Sequence, residues 1–222
     1  MKTFNNKGLK AIFAAITCTA ILILSTGCTS EIVLELKKDG SVDVDFSGTA
    51  GNAFTALITS ASGMSDTKDA SPTVIFDTKQ IEYEMGSNGF SKVKVASKKG
   101  TDLAVTMTDK NGKSALFTSE VVKVENGKLT ASLSPQTLVK FYKTADSQTV
   151  QFLDMLLAPI FNDEQMSEEE YLEVLASFYG EEIAQEMKNS SFRITLKNPD
   201  GTQTVQNIKF VKLLTLNETL RF

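Results

Sequence analysis

The chain contains no histidine, and among its 222 residues the only cysteines are Cys18 and Cys28. Without imidazole there is no Ser-His or Cys-His nucleophilic system, no histidine acid–base catalyst and no His-ligated zinc. Both thiols lie within the first 28 residues, so the remainder offers neither a free cysteine nor a disulfide. With the usual routes to an activated nucleophile gone, the expectation is a protein that is not an enzyme and that carries no cofactor and no metal. A basic excess is missing too. Lys2, Lys7 and Lys10 stand in a leader without acidic residues, so the −4 of the whole chain becomes 20 basic against 27 acidic residues, or −7, beyond it. Such a domain is repelled by nucleic acid and by anionic head groups; no nucleic-acid partner is expected, and membrane attachment cannot rest on a basic patch.

What the sequence does have is one uncharged apolar run of 15 residues, Ala11 to Ser25, following the three lysines. Its length suits a signal-peptide core of roughly 7–15 residues and is short of the ~20 that a bilayer span needs. Thr26-Gly27-Cys28 comes next. Here the chain resembles the bacterial lipoproteins, whose lipobox places a large aliphatic residue and then small residues before the modified cysteine. Leu24 stands four positions ahead of Cys28, with Ser25 where the family usually has leucine. The resemblance covers the leader and Cys28. It implies cleavage between Gly27 and Cys28, a signal peptide of residues 1–27, one mature domain of residues 28–222, and lipid on the Cys28 thiol. At about 0.8 kcal/mol per buried methylene, two or three acyl chains hold far more firmly than one. The expected location is the cell membrane or outer membrane, lipid-anchored, with the domain outside the cytoplasm. Only Thr29 and Ser30 separate the lipid from the first strand pattern.

Periodicity supplies the fold. Ile32, Leu34 and Leu36 alternate, Asp39-Gly40 turns the chain, and Val42, Val44 and Phe46 alternate again, which predicts a hairpin. Phe54, Leu57, Ile58 and Ala61 fit a short amphipathic helix stopped by Gly63. Residues 62–73 read as a surface loop. Asp77 caps a second helix, with Gln80 three residues on, a Phe76–Ile81 staple and a stop at Gly86. Alternation returns through Phe90–Ser97, Leu103–Thr108 and Ala115–Val124, and Asn126-Gly127 leads into Lys128–Leu133. Ser134 with Pro135 starts a helix stapled by Leu133 and Leu138; Asp146 caps another. Ser167 and Glu170 form a capping box for a third, with Met166 facing Tyr171 and an apolar stripe through Leu172, Leu175 and Phe178, interrupted at Gly180. Phe192–Leu196, Val205–Phe210 and Leu214–Phe222 read as closing strands. Strands at both ends with helices between predict an α+β fold: a curved antiparallel sheet of about seven to nine strands with helices on one face, the N-terminal hairpin and the C-terminal strands sharing that sheet.

Candidate chemistry is sparse. Ser91-Lys92-Val93-Lys94 matches S-x-x-K, but in the penicillin-recognising enzymes that pattern sits on a helix, whereas in a regular strand positions three apart face opposite ways. Asp43 and Asp45 share a strand face, a spacing that could hold a cation or form an acid pair, but ordinary solvated alternation is the favoured reading. From Asp163 to Glu186 there are nine acidic residues and no basic one, without the glycine-centred spacing of an EF-hand. Such a face either is plain solvated surface or attracts a basic partner or loosely held divalent cations. The segment 147–161 carries more apolar residues than one helix face needs. Core packing is the ordinary explanation, and Phe152, Leu153, Leu156, Leu157 and Ile160 are otherwise candidates for a lipid-accepting groove or a docking surface.

The opening SEIVLELKKDGSVDVDF, together with SFRITLKNPDG and IKFVKLLTLNETLRF at the end, resembles the LppM-type envelope lipoproteins. That resemblance covers about a fifth of the chain, by the patterning of its hairpins. It implies an α+β domain in contact with lipid and no enzymatic activity; it assigns no functional residue. The leading expectation is a non-enzymatic envelope domain, tethered through Cys28, that binds a lipid or another envelope protein. A carboxylate-dependent hydrolase of the envelope is the alternative, and a solute-binding component is disfavoured because no two-lobed organisation is visible.

Overall fold

The computed structural model describes residues 29–61, 76–143 and 165–222. Within them, strand β1 (Thr29–Leu36) forms the predicted hairpin with β2 (Val42–Thr49), pairing Ile32 with Phe46 and Leu34 with Val44. The turn is closed by the Asp39 carboxylate, which accepts the Ser41 N–H at 3.0 Å and the Ser41 hydroxyl at 2.6 Å. The same device recurs between β7 (Ser191–Lys197) and β8 (Gln203–Lys209), where Asp200 accepts the Thr202 N–H at 2.9 Å and its hydroxyl at 2.5 Å. In both turns the glycine after the aspartate, Gly40 or Gly201, has a positive φ that other residues rarely adopt.

With β3 (Ser91–Ala96) and β4 (Asp102–Asp109), these strands make a six-stranded sheet in the order β3-β4-β2-β1-β7-β8. The class is α+β, and the N-terminal hairpin shares its sheet with β7 and β8, as the patterning predicts. Two features differ. The sheet is mixed, because β1 and β7 run parallel, with Ile32 opposite Ile194 and Leu34 opposite Leu196. Parallel neighbours need a long crossover, and here the chain from Lys37 to Ser190, β2 included, serves as one. The strands are also divided: β5 (Val122–Glu125), β6 (Lys128–Leu133) and β9 (Leu220–Arg221) form a separate three-stranded sheet.

The described helices are α1 (Asn52–Ala61), α2 (Thr78–Ser87), α3 (Ala115–Thr118), α4 (Pro135–Tyr142), α5 (Glu168–Tyr179), α6 (Glu181–Lys188) and α7 (Phe210–Leu214). Several begin as the sequence predicts. Asp77 caps α2 through the N–H groups of Lys79 and Gln80, although the Gln80 amide donates forward to Glu84 rather than back to the cap. Helix α2 ends at Ser87, one residue beyond Gly86, with Asn88 as its C-cap. Ser134 and Thr137 form a reciprocal capping box at α4, as do Ser167 and Glu170 at α5. Gly180, at φ 94°, separates α5 from α6. Two predicted strands are strand only in part. Ala115–Val124 is divided into α3 and β5 at Glu120, which has a positive φ, and Leu214–Phe222 contributes only Leu220–Arg221 to a strand. Helix α7 lies between the predicted strands Val205–Phe210 and Leu214–Phe222 and takes one residue from each; its Phe210, Val211, Leu213 and Leu214 are buried around the half-buried Lys212, and a buried apolar run has the same pattern in a helix as in a strand.

One apolar cluster joins these elements. Ile32, Leu34 and Leu36 of β1, Val42, Val44 and Phe46 of β2, Leu103 and Val105 of β4, and Phe192 and Leu196 of β7 all lie in it. Ile81 and Met85 of α2, Tyr171 and Leu175 of α5, and Met187 of α6 cover that face, and Leu129, Ala131 and Leu133 of β6 join from the second sheet. The α5 stripe is rotated from its predicted course: Phe178 is 75% exposed, and the core is met through Tyr171 and Leu175. The opposite sheet face carries Asp45, Thr106 and Arg193, all exposed. A contact across 133 residues fixes α1, since the Glu186 carboxylate accepts the N–H groups of Ala53 at 2.9 Å and Phe54 at 3.1 Å. These are first-turn groups without intrahelical partners.

Leu196 is fully buried at the parallel seam. Leu196→Ala is expected to cost about 2–5 kcal/mol, read as a lower urea midpoint at unchanged slope. A loss under about 1 kcal/mol would place this row outside the core.

Candidate functional site

Because β7 runs parallel to β1, and β2 and β4 return from the same end, four connections meet at one pole of the sheet. These are the β1–β2 turn, the β4–α3 loop (residues 110–114), the Asn126-Gly127 turn and the β7–β8 turn. They are held to one another by bonds between the two sheets: Asn198 accepts the Leu129 N–H at 2.8 Å, and Lys128 pairs with Asp200 at 2.9 Å. The Thr202 hydroxyl, then Lys128, hold the Asp200 carboxyl well below the usual carboxylate range.

Asp109 organises the β4–α3 loop. It is 2% exposed, and its carboxylate accepts backbone N–H groups from Asn111 at 2.9 Å, Gly112 at 2.7 Å, Lys113 at 3.3 Å and Ser114 at 2.9 Å. Burial pushes its pKa up, but hydrogen bonds from Ser114, Asn111 and Lys113 outweigh it and leave the carboxyl below its ordinary value. Gly89, at φ 90°, lies against this loop so closely that an added Cβ would stand 2.9 Å from the Lys113 carbonyl oxygen. The loop is fixed from both sides.

The connections enclose an open cleft of about 700 Å³. Leu36, Phe117, Val124 and Pro199 supply its apolar surface, and Lys37, Lys38 and Lys110 its charge; among the described residues no acidic side chain lines it. Lys37 is already neutralised by Glu35 at 2.7 Å and Asp43 at 3.3 Å. Lys38 and Lys110 form no ion pair among the described residues.

The sequence candidates are distributed elsewhere. Gly27, Cys28, Asp163, Glu164 and the groove candidates Phe152, Leu153, Leu156, Leu157 and Ile160 lie outside the described residues. Asp43 and Asp45 do share a face of β2, but Asp43 accepts the Thr108 hydroxyl at 2.7 Å besides pairing with Lys37. A bulge between Ser91 and Lys94, with Lys92 at φ 54°, brings those two residues to the same side of β3, against the expectation for a regular strand. The Ser91 hydroxyl nevertheless donates to the Thr108 carbonyl at 3.0 Å, so its proton is engaged away from the lysine. Within the acidic run, Glu170 and Glu186 serve as helix caps, and Glu168 lies 4.0 Å from Lys209. No group of three or more metal-ligating side chains occurs among the described residues. Lys38 and Lys110 carry no local signal in the sequence, because only the strand order brings both to one cleft. No protein family, curated protein or solved structure matches the chain.

In Asp109→Asn the single amide oxygen leaves at least the buried Ser114 N–H without an acceptor, at an expected cost of about 1–3 kcal/mol. A depressed folded pKa stabilises above the unfolded value, ordinarily 3.8, and that contribution is lost as pH falls through the lower folded value. Acid unfolding of Asp109→Asn should therefore show a flatter limb below pH ~4 than the parent. Parental stability with the parental acid limb would contradict the assigned role.

Proposed function

We propose that this chain is a membrane-anchored envelope lipoprotein, held by lipid on Cys28, whose domain binds a ligand and performs no catalysis. The single observation carrying this reading is the junction at the start of the domain. β1 begins at Thr29, the residue after the lipobox-type cysteine, and Ser30 is already 1% exposed. No flexible stalk intervenes between the modified residue and a strand paired on both edges. Lipid on Cys28 thus seats the sheet directly on the bilayer surface. Seven strand steps of about 3.3 Å put Leu36 roughly 23 Å from Thr29, which turns the cleft toward the side away from the anchor.

The binding reading is supported by the cleft, whose volume and mixed lining suit a small ligand. Its non-enzymatic character is supported by how the described carboxylates are used: Asp43, Asp109, Glu170 and Glu186 all accept hydrogen bonds that hold the fold. The resemblance of both chain ends to the LppM-type lipoproteins points the same way.

Metabolic labelling with radioactive palmitate tests the anchor. The parent chain is expected to incorporate label and to have a mature N terminus bearing diacylglyceryl; Cys28→Ser should incorporate none. Label retained in Cys28→Ser, or a parent chain of unmodified mass, would overturn the proposal.

A further inference from the structure

We propose that the cleft at the Leu36 end of β1 binds an anionic amphiphile, whose carboxylate or phosphate lies between Lys38 and Lys110. The apolar body would rest on Leu36, Phe117, Val124 and Pro199. This deepens the binding reading above and rests on it for the statement that the domain takes a ligand at all.

Three observations carry the chemistry. The domain beyond the leader is acidic, 20 basic residues against 27, yet among the described residues the cleft is lined by three lysines and no carboxylate. A cationic pocket in an acidic surface discriminates against cations and draws anions locally. Second, the lysines are not equivalent. Glu35 and Asp43 neutralise Lys37, whereas Lys38 and Lys110 keep their charge uncommitted on opposite connections, the β1–β2 turn and the β4–α3 loop. Third, the surface beside them is apolar; Val124 is 45% exposed, on a strand whose partner residue Leu129 is buried. An anion without an apolar body would leave that surface in water.

The walls are pre-formed. Asp109 gathers four N–H groups of the loop bearing Lys110, and the Asn198–Leu129 and Lys128–Asp200 bonds clamp the opposite rim. A ligand therefore orders the two lysine side chains and little backbone. The cleft's distance from Thr29 means that the ligand reaches it from the side away from the anchoring bilayer.

The test uses the full chain in nanodiscs of zwitterionic phosphatidylcholine, titrated calorimetrically with octanoate and with octyl phosphate, with empty discs as the blank. One saturable site is expected, at least tenfold weaker in the Lys38→Gln/Lys110→Gln variant and weakened by added salt. It should be unchanged in Lys98→Gln/Lys99→Gln, which alters lysines at the other end of the sheet. Tighter binding of octyl phosphate supports the proposal with a phospholipid-type ligand; tighter binding of octanoate supports it with a free fatty acid. No saturable heat above empty discs overturns the proposal. So does equal affinity for neutral 1-octanol, or an unchanged affinity in Lys38→Gln/Lys110→Gln. Palmitate labelling is independent of these titrations, so loss of the ligand site and loss of the anchor are told apart.

Discussion

Strand β1 is bonded along both edges, to β2 through a local turn and to β7 across most of the chain, and the rest of the structure depends on that double pairing. The two pairings differ in how they are reached. The hairpin closes over five residues, Lys37 to Ser41, while β7 arrives only at Ser191. Loop-closure entropy rises slowly with length, by about 0.6 kcal/mol per doubling, so the long return is affordable once its row of side chains is buried. Ile32 and Leu34 meet Ile194 and Leu196, and each such side chain gains about 1.5–3 kcal/mol on leaving water. Because that seam is parallel, the C-terminal ends of β1 and β7 lie at the same pole. An antiparallel seam would have sent the β7–β8 turn to the other end, and the cleft would lose its Pro199 wall.

Polar groups then fix what the apolar core only collects. Asp39, Asp109 and Asp200 each spend a carboxylate on the N–H groups of their own turn, and Glu186 spends one on helix α1. In an acidic domain these commitments decide where net charge is felt. At the Leu36 pole Asp39, Asp43, Asp109 and Asp200 are bonded to backbone, hydroxyl or ammonium groups, and of the lysines lining the cleft Lys38 and Lys110 have no ion pair among the described residues. The cationic character of the cleft is thus a consequence of how the neighbouring acids are occupied, in a chain whose overall sign is the reverse.

Local devices were the legible part of the sequence. Asp39-Gly40 and Asp200-Gly201 mark their hairpins, and Asp77, Ser134 and Ser167 mark their helices, because each acts within a few residues of itself. Features set by distant partners were not legible. The direction of β7 relative to β1 leaves no trace in either strand's alternation, and the run from Phe210 to Leu214, apolar except at Lys212, fits a helix and a strand alike. Glu186 looked like one member of an acidic run, yet its partners are backbone groups 132 and 133 residues away. At the site, the lysines were equally silent: Lys38 belongs to a KKDG turn that any surface hairpin could carry, and only the fold brings Lys110 beside it.

If β1 is both tether and central strand, the lipidated domain stands with its Leu36 pole off the bilayer. Nitroxide depth measurement tests this most directly, since the domain beyond Cys28 has no other cysteine and takes a single label cleanly. Labels at Asp39→Cys and Lys98→Cys, compared on vesicles with a paramagnetic head-group lipid, should differ in distance from the head groups by roughly 20 Å, position 39 being the farther. Equal depths, or position 39 the nearer, would contradict the account.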